Sequence, residues 1–238
     1  VMIPLLTIVQ NDPEVPLGSY ADYLAELAVP YRTVQPSRGE MLPEAEGVAA
    51  AIILGGAMGV HDTDRHPFLH EVKHFIAEMV DGEVPLLGIC LGGQLLADVL
   101  GATVTYNSPH REKGTLPVIL TEKGESDPLF AGVSREFVSF QWHNDSFLVP
   151  EGGVLLASSP TCPGQAFRYG PVAYGTQFHP EVNRRIIADW SGRTPERMVR
   201  TRHYQEEFDL RLREYDAASR RILLNFLNIA RLVESHPA

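Results

Sequence analysis

The chain has 238 residues, 44% of them hydrophobic and 21% charged, which excludes a disordered protein and is ordinary for a folded one. Such a length buries roughly 70–75% of the surface exposed on unfolding, so no disulfide or metal staple is required to hold a core. Twenty Lys and Arg against 30 Asp and Glu give a net charge of −10, which excludes a broad nucleic-acid binder, because that function needs a basic face. No apolar run approaches the ~18 residues of a membrane span, so no membrane contact is expected. The opening VMIPLLTIVQNDPE lacks a basic n-region and a small-residue cleavage site. A cytoplasmic setting is therefore expected, with Cys90 and Cys162 as reduced thiols rather than a disulfide.

Apolar runs and helical stripes alternate through the first hundred residues. Leu5–Val9 predicts a buried strand, and Tyr20, Leu24, Leu27 and Ala28 recur at helical spacing. Arg32–Val34 reads as a short strand, and Ala50–Leu54 as a central strand running into Gly55-Gly56. Phe68, Val72, Phe75, Ile76 and Met79 form a helical stripe. Pro85–Ile89 is the next strand, followed by a helix over Leu91–Leu100 that stops at Gly101. This order predicts an α/β fold: an open twisted, mostly parallel sheet with helices on both faces. From 102 to 177 short β-rich runs dominate: Ala102–Tyr106, Leu116–Thr121, Phe137–Trp142, Val154–Ser158, Gln165–Tyr169 and Val172–Phe178. They are expected to flank the main sheet, partly antiparallel. After His179 the chain reads as helical to its end. Phe208, Leu212, Tyr215, Ile222, Phe226, Ile229 and Val233 mark one long stripe over 203–233, weak only at Ser219. Its plain reading is a helix laid on the body of the domain, and its sharper reading a partner-docking or dimer helix. No linker divides the chain, so residues 1–238 are expected as one domain with 201–238 as a C-terminal helical extension.

Three segments carry chemistry. Gly88-Ile89-Cys90-Leu91-Gly92-Gly93-Gln94 follows a strand and opens a helix, the pattern of a nucleophile elbow with cysteine in place of serine. At such a corner the side chain stands on strained backbone, so its neighbours must be small. The helix N-terminus favours an anion and so a thiolate. The Leu91 N–H, next after the nucleophile, is the expected oxyanion donor. A lone G-x-C-x-G also fits a buried, inert cysteine. A second segment, Gly175-Thr176-Gln177-Phe178-His179-Pro180-Glu181, changes that balance. Pro180 keeps the chain extended, so His179 and Glu181 face the same side and the carboxylate can fix the imidazole. The third segment, Gly55-Gly56-Ala57-Met58-Gly59, follows a strand and can aim a second N–H, that of Gly56, at an oxyanion. All three lie at or after strand ends, where open α/β sheets place their ligand crevice.

In combination these motifs resemble the class I (triad) glutamine amidotransferases, and within them free-standing relatives of the GMP synthase glutaminase domain. The segments that carry the likeness are ILGGAMGV (53–60), VPLLGICLGGQLLADVLGA (84–102), FQWHND (140–145), CPGQAFRYG (162–170) and AYGTQFHPEV (173–182). The resemblance implies a flavodoxin-like sheet with Cys90 as nucleophile, His179 as general base and acid, and Glu181 as its orienting carboxylate. It further implies an oxyanion hole from Gly56 and Leu91, with Gln94, Trp142 and His143 facing the substrate. The implied reaction is hydrolysis of the glutamine side-chain amide through a γ-glutamyl thioester, with no cofactor. No synthetase domain follows the motifs here, so the ammonia acceptor is expected on a separate subunit. The competing expectations are a free-standing γ-glutamyl hydrolase or peptidase and a non-enzymatic protein on a catalytic scaffold; the intact Cys-His-Glu set speaks against the latter.

Two other features have plainer readings. His66, His70 and His74 recur every four residues, yet a solvated helix face accounts for them, and no metal is expected there. Cys162 lies in the turn Ser159-Pro160-Thr161-Cys162-Pro163-Gly164 with no helix start, and is read as the unreactive thiol.

Overall fold

The structure is a computed structural model that describes residues 5–192 and 195–233. Strands and helices alternate at first: β1 (Leu5–Val9), α1 (Ser19–Glu26), β2 (Tyr31–Val34), β3 (Val48–Ile53), α2 (Phe68–Asp81), β4 (Leu86–Ile89) and α3 (Leu91–Val99). There follow β5 (Val104–Thr105), β6 (Glu112–Leu120), the one-turn α4 (Glu122–Glu125), β7 (Glu136–His143), β8 (Ser146–Phe147), β9 (Val154–Ser158), β10 (Ala166–Tyr169) and β11 (Ala173–Thr176). Two helices, α5 (Arg184–Ser191) and α6 (Pro195–Ile229), end the described chain.

Nine strands form one sheet in the order β2-β1-β3-β4-β11-β10-β9-β6-β7, while β5 and β8 pair separately. From β2 to β11 every neighbour is parallel. From β11 to β7 every neighbour is antiparallel. The expected parallel sheet with flanking antiparallel strands is what the chain forms. The physical cause is visible in β3 and β4, whose VAAAII and LLGI are almost wholly buried because both faces are covered. Side chains alternate between two cores. Ala50, Ile52, Leu87 and Ile89 pack with Tyr20 and Leu24 of α1 and Ile222 and Phe226 of α6. Ala51, Ile53 and Leu86 pack on the opposite face with Val72, Phe75 and Ile76 of α2 and Leu95 and Leu96 of α3.

Differences from the expected elements are informative. β6 begins at Glu112, not Leu116, because it pairs with β7 from Glu112↔His143 to Ile119↔Glu136, a non-local ladder that local pattern does not register. On α6, Leu212 is in phase with the apolar stripe but 44% exposed, since helical phase sets only a direction and burial also needs a covering surface. Ser219, the weak position of that stripe, is 2% exposed. Residues 234–238 of the expected extension lie outside the described residues. Beyond the sheet, the edge strand β7 returns to the chain just past β11 through a bridge between Phe140 and His179.

Candidate active site

Cys90 occupies the corner between β4 and α3 with φ 51° and ψ −106°, backbone that a non-glycine residue adopts only under strain of about 1–3 kcal/mol. Its surroundings hold it there. The Cys90 N–H donates to the Thr176 carbonyl at 2.8 Å, and its carbonyl accepts from the Gln94 N–H at 2.9 Å. The corner is pressed onto β3: a Cβ at Gly92 would lie 2.0 Å from the Ile53 carbonyl oxygen, and one at Gly88 would lie 2.5 Å from the backbone of Gly92. Only glycine fits at either place. The thiol therefore sits at a helix N-terminus, 7% exposed.

β11 lies beside β4 in parallel register, Thr176 opposite Ile89, so the residues after it pass over the Cys90 corner. His179 comes beside Cys90, near enough for the sulfur to act on its charge. Both side chains border one point, since a Cβ at Gly55 would be 3.1 Å from His179 Cε1 and 3.6 Å from Cys90 Cβ. His179 Nδ1 stands 2.7 Å from Glu181 Oε1, and Glu181 is fully buried. Burial works against a charged imidazole, but the Glu181 carboxylate and the Cys90 sulfur outweigh it and raise the His179 pKa to about 10. The Trp190 ring packs edge-on against the imidazole at 4.9 Å between centroids.

The backbone of this segment is fastened at every step. The His179 N–H donates to the Phe140 carbonyl at 2.8 Å. The Tyr215 hydroxyl on α6 bonds to the carbonyls of His179 at 3.0 Å and Val182 at 2.8 Å. Ser219 bonds to the Pro180 carbonyl, and the Ser19 N–H of α1 to that of Glu181 at 2.8 Å. The carbonyls of residues 179 to 182 thus all have donors, none of which the local sequence reveals.

The Gly55–Gly59 loop completes the edge. Asn11 Nδ2 donates to the Leu54 carbonyl at 2.7 Å, and the Ala57 N–H donates to Asp12 Oδ2 at 3.1 Å. A Cβ at Gly56 would approach Leu91 Cδ2 to 2.9 Å, so Gly56 and Leu91 are packed together beside Cys90. Asn11 and Asp12 follow β1 and escaped the sequence reading; a buried polar pair at the carboxyl end of a strand was their only signal.

A chain of amides reaches the thiol from the other side. Gln177 Nε2 lies 3.6 Å from Cys90 Sγ, in range of a donor to sulfur. Gln94 Nε2 donates to Gln177 Oε1 at 3.2 Å and to the Asp145 carbonyl at 3.2 Å, which uses both of its protons. Gln177 and Trp190 are two further site residues that sequence reasoning missed. Gln177 carried a weak signal, as a polar residue inside an apolar run; Trp190 carried none. Cys90, Gln94, Trp142, His143 and His179 all border one cavity of about 820 Å³, together with Gly56. Trp142 stacks on Phe140, with Lys113 Nζ 5.0 Å from its ring centroid. Both ring nitrogens of His143 turn to protein groups, Nδ1 to the Asp145 carbonyl and Nε2 towards Glu112. His66, His70 and His74 do not converge: α2 begins only at Phe68, His70 is exposed, and His74 pairs with Glu78. Cys162 is fully buried.

Comparisons with known proteins agree with this architecture. The family model of the class I glutamine amidotransferases matches residues 18–186. A putative glutamine amidotransferase-like protein, YfeJ of Salmonella typhimurium, is 35% identical over 147 residues, 60% of this chain and 61% of that one. A glutamine-hydrolyzing GMP synthase subunit of Methanopyrus kandleri is 39% identical over 110 residues, 45% of this chain and 57% of the relative. This chain thus spans less than two thirds of the length of these curated relatives. A glutamine amidotransferase from Thermotoga maritima of known structure superposes with a TM-score of 0.84 at 29% identity, over 98% of this chain and 99% of that one. With a family model covering most of its length and a strand-end cysteine beside a His-Glu pair, this chain belongs to the class I glutamine amidotransferase family.

Proposed function

We propose that this chain, folded as one domain, hydrolyses the side-chain amide of glutamine and passes the ammonia to an acceptor on a separate synthetase subunit. The observation that carries the reading is the contact of a corner-strained thiol with an imidazole that a fully buried carboxylate holds in its charged form. Cys90, as thiolate, attacks the amide carbon; the carbonyl becomes an oxyanion facing the N–H groups of Gly56 and Leu91. The His179 imidazolium gives its proton to the departing ammonia, leaving a γ-glutamyl thioester. Neutral His179 then takes a proton from water, which attacks the thioester and releases glutamate and the thiolate. Glu181 keeps the ring oriented and stabilises its charge.

Gln94 has spent both protons on Gln177 and Asp145, so its remaining role towards substrate is to accept, through Oε1, from the α-ammonium of glutamine. Trp142 forms a wall of the cavity, and His143 fixes the Asp145 carbonyl behind it. The synthetase partner is inferred from relatives that are subunits of GMP synthases. No helix among the described residues is long and apolar enough to cross a membrane, which accords with a cytoplasmic place of work.

The test is a panel of glutamine, γ-glutamyl peptides and γ-glutamyl conjugates, read by glutamate release. Turnover of free glutamine, stimulated by the synthetase partner, is the expected result. Cleavage of the peptides with none of glutamine replaces it with a free-standing γ-glutamyl hydrolase.

A further inference from the structure

At the cavity wall, in the antiparallel half, three side chains of different chemistry meet. Glu112 opens β6, His143 closes β7 directly opposite it, and Cys162 lies in the turn between β9 and β10. One carboxylate oxygen, one imidazole nitrogen and the sulfur all lie within 4.8 Å of one another. The residues are 6%, 3% and 0% exposed.

The protons in this cluster follow from its partners. His143 Nδ1 is 3.0 Å from the Asp145 carbonyl. A carbonyl only accepts, so Nδ1 carries the hydrogen and the neutral ring has its lone pair on Nε2. That Nε2 has no hydrogen-bond partner among the described residues and stands 3.5 Å from Glu112 Oε2. A lone pair and a carboxylate oxygen facing each other in a buried place repel unless a proton or a cation lies between them. Glu112 is held as an acceptor by the Ser159 hydroxyl at 2.7 Å and by Gln165 Nε2 at 2.5 Å, the kind of support that orients metal ligands. The Cys162 sulfur lies 3.5 Å from the Gly164 carbonyl, to which its S–H donates.

We propose that Glu112, His143 and Cys162 bind a divalent transition-metal ion of the zinc type. Imidazole, thiolate and carboxylate are the donors such ions prefer, whereas magnesium and calcium select all-oxygen sets. A tetrahedral ion with bonds of about 2.0–2.3 Å needs donors a little over 3 Å apart, so small side-chain rotations close the site. On binding, the Cys162 S–H bond breaks, its electron pair forms the sulfur–metal bond, and the proton leaves to solvent. The two negative ligands then balance the dication, with the fourth position left to water or to Ser159. The ion is structural. It fixes His143, whose Nδ1–H holds the Asp145 carbonyl that also accepts from Gln94, and so stiffens the turn bordering the cavity. Metal binding here is independent of the reaction proposed above.

The experiment uses the full chain carrying Cys90→Ala, in which Cys162 is the sole thiol. After treatment with a chelator, cobalt(II) is titrated in and absorption recorded. The expected result is one equivalent bound, a sulfur-to-cobalt charge-transfer band in the near ultraviolet, release of one proton from the thiol, and loss of the band on adding zinc. His143→Gln and Glu112→Gln, each introduced into the same background, are expected to weaken binding by at least tenfold. Cobalt bound without the sulfur band, as surface histidines would bind it, overturns the proposal. So does absence of binding.

Discussion

The two halves of the sheet build their shares of the site by different physics. In the parallel half, Cys90 and the Gly55–Gly59 loop sit at strand ends, and their geometry is set by contacts that tolerate no side chain, as at Gly92 against Ile53. In the antiparallel half and its covering helices, polar side chains reach across the chain to hold backbone: Tyr215 and Ser219 on the His179 segment, Gln177 on the thiol, His143 on Asp145. Steric fit places the thiol, and hydrogen bonds place the histidine. Loss of a steric element should therefore act on folding, and loss of a hydrogen bond should act on chemistry before folding.

The largest expected effect is that of Cys90→Ala, which lowers glutamate release by at least ~10³-fold while circular dichroism and thermal midpoint stay near wild type. Cys90→Gly should be equally inactive yet more stable by about 1 kcal/mol, because the strained φ is relieved. A loss of stability in Cys90→Gly would show that the corner is not strained.

Glu181→Gln should reduce kcat/KM by ~10²-fold or more. With its pKa at about 10, His179 stays charged through neutral pH, so the alkaline limb of the wild-type profile lies near 10 and moves down towards ~6.5 in the variant. The raised pKa also makes a stability statement. Its contribution is complete below the unfolded value of about 6.5 and disappears as pH climbs through about 10. Denaturant titrations from about pH 6 to about pH 10.5 should show that decline in the wild type and a flatter curve in the variant.

Gly92→Ala tests the steric half, and we expect a loss of about 1–3 kcal/mol or failure to fold. Tyr215→Phe tests the other half, with a cost of about 1 kcal/mol. It should lower kcat severalfold with KM little changed, since it loosens His179 and touches no substrate. An unchanged kcat would mean that α6 only packs. Smallest of all, Leu212→Ala should stay within about 0.5 kcal/mol, because that residue faces solvent.

The same division explains what the sequence disclosed. The Cys90 corner was legible because strand, glycines and helix are contiguous, and His179 with Glu181 because two residues of extended chain put them on one side. The supports were not legible, because their partners lie far away in sequence: 36 residues for Tyr215 and His179, 45 for Asp12 and Ala57, 87 for Gln177 and Cys90. Ser219 shows the limit well. As a break in an apolar stripe it looked like a weakness of the helix, and it is instead a donor to the Pro180 carbonyl. The cluster of Glu112, His143 and Cys162 was hidden likewise, since two strands and a distant turn must assemble before its members meet.

The central claim, that Cys90 is the reacting thiol and His179 its partner, is tested most directly by an electrophilic glutamine analogue followed by peptide mass mapping. The expected result is modification of Cys90, protection by glutamine, sparing of Cys162, and a rate of labelling that collapses in His179→Gln. Label found on Cys162 alone, or on Cys90 no faster than on the denatured chain, would contradict it.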